Sequence, residues 1–194
     1  MPALTTALVL GGGDTLFEDI DRYRAEHGGH YDGVVACNDA GTVWPETLDA
    51  WVSLHCRYFV QKDWRKKRAE AGYPEALRHY GHLQAFRGSL GEKAGLTRDL
   101  IATDYLFPGQ DKSGSSGLFA AKVALIDLGF DRAVLCGVPM SNGPHFWDAE
   151  KKPWAPNEGF RRQWLTVPQE YRDRMTSMSG WSRVLLGAPP RADT

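Results

Sequence analysis

Four short segments of this chain carry residue types suited to chemistry. Gly11-Gly12-Gly13-Asp14-Thr15 is a glycine-rich turn that leads into a helical pattern. Glycine lets a ligand come close to the backbone, and a helix start offers N–H donors to an anion. The run fits neither GxGxxG, because Leu16 holds the third glycine's place, nor the P-loop, which needs a lysine. Ligand contact and a plain strand–helix turn both suit it. Asn38-Asp39 follows an apolar run, where an asparagine can bond a base, a ribose or a neighbouring loop, or cap its own turn. Ser113, Ser115, Ser116 and Gly117, with Lys112 beside them, open the strongest helical pattern. Their hydroxyls and amides can hold a phosphate or a base carbonyl, whereas N-capping alone needs one serine. The fourth segment, SNGPHFWD, contains His145.

Of the six histidines, His145 is best placed as a general base and His55 second, each having a structural hydrogen-bonding role as its alternative. His79 and His82 are three apart, as on one helical face, but no acidic partner completes a ligand set, so no metal site is expected. GxSxG, HExxH and CxxC are all absent. Serine-hydrolase and zinc-protease readings therefore have no support.

These segments need elements to position them. Thr6–Gly11, Asp32–Asn38, Ala50–His55 and Ala133–Gly137 read as buried strands. Helices are expected from Asp14 or Thr15 to about Glu26, and over Gly117–Leu128. Asn157–Trp164 and Pro168–Met175 read as short helices, Leu100–Phe107 as a short strand or connection, and Ser182–Leu186 as a last strand. Residues 57–98 read as a basic, mostly helical insertion broken near Gly72–Pro74, and Pro189–Thr194 as a mobile tail. Buried strands alternating with helices, without hairpin signals, predict a doubly wound α/β sheet over residues 1–188 as one domain. Ligands in such sheets bind beyond the carboxyl ends of the strands.

The formal charge is −1 over 194 residues, which gives no global case for nucleic acid or membrane binding. It is unevenly spread: residues 1–56 carry two basic and nine acidic side chains, residues 57–98 ten basic and four acidic. The basic run, with Tyr58, Phe59, Trp64, Tyr73 and Tyr80 interleaved, either solvates a helix face or tracks a single strand by charge and stacking. Cys37, Cys56 and Cys136 are widely spaced, and a reduced, cytoplasmic protein is expected. No membrane span and no signal peptide are read.

VLGGGDTLFEDID, DGVVACND and AWVSLHCRYF in the first half, and SGSSGLFAAKVALIDLGFDRAVLCGVPMSNGPHFWD in the second, resemble the Rossmann-like bacterial sialyltransferases that use CMP-sialic acid. They are equally similar to the related hydroxymethylpterin diphosphokinase-like proteins, and to phage or prophage members of that superfamily. The resemblance implies a Rossmann-like sheet with helices on both faces. It also implies nucleotide contacts from Gly11, Gly13, Asn38, Ser116 and Gly117. Where that family has an arginine ahead of its Ser-Gly pair, this chain has Ser113 next to Lys112. Where it has tyrosines after the late strand, this chain has Ser, Asn and His over Ser141–His145.

The expected function is binding of a nucleotide or nucleotide-sugar, such as a CMP-sugar, with glycosyl transfer as its enzymatic form. Lys112 or a residue of the basic segment would then neutralise the leaving group, and His145 or His55 would take the acceptor proton. The alternatives are a non-catalytic phage-type binding or assembly module, and a Mg²⁺-dependent phosphoryl or pyrophosphoryl transferase using Asp14, Asp39 and Asp111 as oxygen ligands.

Overall fold

Among the described residues, seven strands form one parallel sheet in the order β5-β4-β3-β2-β1-β6-β7. The computed structural model describes residues 3–56, 58–82, 99–112, 114–148, 150–153 and 157–192. The strands are β1 (Thr6–Leu10), β2 (Gly33–Cys37), β3 (Ala50–Ser53), β4 (His79–His82), β5 (Leu100–Thr103), β6 (Arg132–Cys136) and β7 (Met175–Ser177). The helices are α1 (Leu16–Glu26), α2 (Tyr58–Gln61), α3 (Trp64–Glu70), α4 (Ser116–Lys122), α5 (Asn157–Trp164), α6 (Gln169–Arg172) and α7 (Gly180–Leu186). α4 continues as a π-helical turn over Val123–Asp127.

The central strands are apolar throughout because both faces are covered. Alternate side chains serve opposite cores. Ala7, Val9, Val35, Val52 and Leu135 pack with Leu118 and Phe119 of α4 and with Trp164. Leu8, Leu10, Val34, Trp51 and Val134 pack with Leu16 and Ile20 of α1 and with Phe59 and Trp64. Each fully buried Leu or Phe here contributes about 1.5–3 kcal/mol. The doubly wound parallel α/β architecture is thus as the apolar pattern predicts, with helices on both faces.

Several local expectations are corrected. His79 and His82 lie on strand β4, not on a helix, so period-2 geometry sends them to opposite faces. His79 packs against Trp51 and Phe59, His82 against Tyr105. Ser182–Leu186 is helical: Trp181 and Leu185 pack on the core while Val184 is 83% exposed, a spacing of four rather than two. The last strand is instead Met175–Ser177, within and just beyond the expected helix over Pro168–Met175. The segment after β3 supplies two short helices and then β4; residues 83–98 lie outside the described residues. Pro189–Ala192 lies against the end of α1. Pro189 is buried, His27 Nδ1 lies 2.8 Å from the Pro190 carbonyl, and the Ala192 amide donates to Glu26.

The basic run does not present one solvated face. Arg68 is buried, and its guanidinium donates to the carbonyls of Gly41, Trp44, Glu46 and Pro74. Phe59 and Trp64 are core residues. Cys37, Cys56 and Cys136 are buried thiols without disulfides. Among the described residues no helix is long and apolar enough to cross a membrane.

Candidate functional site

β1 and β6 are neighbours from which the sheet grows in opposite directions, so the topological switch point lies between their carboxyl ends. A cleft of about 410 Å³ opens there. That volume lies within the usual range of small-ligand sites. Its wall includes Gly11–Gly13, Asn38, Asp39, His55, Lys62, Ser115–Gly117, Gly137–Ser141, His145 and Trp147.

The glycine turn is built to meet the protein's own backbone. The Gly11 amide donates to Cys136 O (2.8 Å), Gly13 to Gly137 O (2.7 Å) and Asp14 to Pro144 O (3.1 Å). Phe146 returns a bond to Gly12 O at 3.1 Å, and Gly13 and His145 form an antiparallel bridge. A Cβ on Gly13 would stand 2.6 Å from Pro139, and one on Gly12 2.5 Å from the Trp147 indole. Gly137 has φ 67°, which favours glycine. Beneath it, buried Asp19 accepts from the Gly137 amide (2.9 Å), Thr15 Oγ (3.0 Å) and Ser179 Oγ (2.7 Å). Burial pushes its carboxyl above the usual range, against those three donors.

Asn38 leaves β2 in the left-handed region (φ 50°), a conformation asparagine tolerates. Its Oδ1 accepts from Ser53 Oγ at 2.9 Å and its carbonyl from the Trp51 indole at 2.7 Å. Asp39 is engaged on both oxygens, by Lys62 Nζ at 3.3 Å and by the Trp64 indole at 3.0 Å. On the opposite wall Ser115 caps α4, accepting from the Leu118 amide at 3.4 Å. Ser116 and Gly117 follow, with Gly117 set close against Val138. His145 stacks on Trp147, ring centroids 4.4 Å apart. Burial holds its imidazole below the usual value, while Asp39 and Asp148 pull it back up. His55 is exposed and packs on Tyr58 at 5.2 Å.

The structure therefore brings together Gly11, Gly12, Gly13, Asn38, Asp39, His55, Ser115, Ser116, Gly117 and His145. Asp14 and Thr15 are not part of the wall, nor is Lys112. Thr15 turns to Asp19 and Ser179, and Lys112 is exposed on the loop before α4. Ser113 lies outside the described residues. Asp14, Asp39 and Asp111 do not gather; no cluster of three or more metal-binding side chains occurs among the described residues. Trp147, Met140 and Phe160 also line the cleft and were not singled out by sequence, and Lys62, one residue of the basic segment expected to neutralise the leaving group, lines it as well. The signal Lys62 carried was that of a basic residue among aromatics, which it shares with its basic neighbours.

Solved structures share this architecture. The fold resembles that of bacterial sialyltransferases. The sialyltransferase CstII from Campylobacter jejuni, in complex with the substrate analogue CMP-3FNeuAc, matches with a TM-score of 0.67 at 14% identity, over 96% of this chain and 87% of that one. CST-II in complex with a trisaccharide acceptor and CMP gives a TM-score of 0.69 at 16% identity, covering 98% and 88%. The monofunctional α-2,3-sialyltransferase Cst-I from Campylobacter jejuni gives 0.68 at 15% identity, covering 97% and 81%. At these identities the likeness is one of fold. No protein-family model and no curated protein matches the chain.

Proposed function

We propose that this protein is a glycosyltransferase that takes its donor from a nucleotide-sugar, with a CMP-sugar as the preferred class. The convergence of Asn38, Ser115–Gly117 and His145 on one switch-point cleft carries this reading. The fold supports it, since solved structures that share it include sialyltransferases in complex with CMP or a CMP-sugar analogue. The side-chain amide of Asn38, oriented by Ser53, supplies donors for a pyrimidine carbonyl. Ser116 and the start of α4 meet the phosphate.

In the transfer step the bond between the anomeric carbon and the phosphate oxygen breaks, and its electron pair leaves on the phosphate. The acceptor hydroxyl oxygen forms the new bond. Its proton passes to His145, whose depressed pKa keeps the ring neutral and able to accept it. His55, at the exposed side of the cleft, is the second candidate base.

Calorimetric titration with CMP, UMP, AMP and GMP tests the donor class. Saturable binding that favours CMP is expected, and uniform failure to bind would remove the reading. Transfer from a CMP-sugar should be lost in His145→Ala; an unchanged rate would remove His145 as the base.

A further inference from the structure

We propose that Lys62 is the cation that receives the phosphate of the leaving nucleotide, exchanging Asp39 for it. The inference rests on the nucleotide-sugar reading of the cleft. During transfer the phosphate goes from a singly charged diester to a monoester that tends to two negative charges. A group that binds the second charge more strongly than the first lowers the barrier. The glycine turn is a poor source of such help, because the amides of Gly11, Gly13 and Asp14 already donate to Cys136, Gly137 and Pro144. Among the described residues that line the cleft, Lys62 is the one lysine or arginine.

Its surroundings suit an exchangeable cation. The Nζ–Oδ2 distance to Asp39 is 3.3 Å, longer than a strong charged hydrogen bond, and the lysine side chain is 39% exposed. The ammonium also lies 4.8 Å from the Tyr58 ring centroid, 5.6 Å from Trp64 and 5.8 Å from Trp147. Cation–π attraction to rings on two sides keeps it over the cleft when the carboxylate lets go. Asp39 itself stays in place, tied to the Trp64 indole at 3.0 Å. Lys62 continues the turn of α2, its amide donating to Tyr58 O at 3.0 Å, and Asp63, left-handed at φ 50°, then turns the chain into α3.

The test is calorimetry with two probes, CMP and cytidine, on wild type, Lys62→Met and Asp39→Asn, with thermal melts to confirm folding. Wild type should prefer CMP. Lys62→Met should weaken CMP by about 10- to 100-fold and leave cytidine unchanged. Asp39→Asn removes the internal competitor and should strengthen CMP alone. CMP binding unaffected by Lys62→Met would overturn the assignment to Lys62 while leaving the nucleotide reading intact. A loss of both probes in parallel, or a matching loss in both variants, would also overturn it, since that is what a purely structural ion pair produces. A wild type that binds neither probe would remove the nucleotide reading and this inference with it.

Discussion

Two corners of the chain meet at the cleft and use small residues in opposite ways. At Gly11–Gly13, absence of side chains lets one loop press against another, and the amides of Gly11 and Gly13 go to the carbonyls of Cys136, the last residue of β6, and of Gly137 after it. At Ser115–Gly117, only Gly117 is needed for packing, against Val138, while the two serines stay half-buried at the cleft wall. Glycine marks a close approach, and the approaching partner is as readily the protein's own backbone as a ligand. Hydroxyls left on the wall are the better sign of a site.

This contrast can be broken or sharpened by substitution. The largest effect is expected at the partner of the early corner. In Gly137→Ala the new Cβ would lie 2.7 Å from Gly11 O and 2.8 Å from the Leu16 side chain, at φ 67°. Urea unfolding should show a loss of about 3 kcal/mol or more, and a loss below about 1 kcal/mol would mean that the corner is not locked. Ser116→Ala at the late corner should do the reverse. Stability is expected to stay within about 0.5 kcal/mol of wild type, while CMP affinity falls roughly tenfold. Gly12→Ala should cost only about 1 kcal/mol, because its Cβ meets the Trp147 side chain and not backbone. Trp147→Ala should then recover that cost in a double-mutant cycle. The smallest effect is on pH dependence. Burial and Lys62 hold the His145 pKa down, whereas Asp39, Asp148 and Asp14 raise it. A neutral base is required, so turnover should fall as pH drops through a value below about 6.5. Lys62→Met should move that limb to higher pH. An acid limb above about 6.5 in wild type would take His145 out of the step.

The central strands were legible because VLVL-type runs have no polar face to place. β4 and β7 were not, since HYGH and MTS are too short and too polar to alternate, and they exist because β3 and β6 offer them hydrogen-bonding edges. The cleft's Asn38, Ser115, Ser116 and His145 could be found because each follows a strand or opens a helix in an α/β pattern. Lys62 could not be separated from Arg65, Lys66 and Arg68 by spacing. Their different fates depend on a left-handed Asp63 and on four carbonyls that collect around Arg68 from distant turns. Lys112 is adjacent in sequence to the serines, yet it is exposed and stands outside the cleft wall.

The three cysteines have a practical consequence. Burial pushes the Cys37 thiol up to about 12 and Cys136 well above its ordinary value, so both are protonated at neutral pH. Cys136 ends β6 beside β1 and is fully buried, so a thiol reagent reaches it only when the middle of the sheet comes apart, whereas Cys37 ends β2 at the cleft wall. The Cys136 labelling rate is thereby a built-in reporter of global opening.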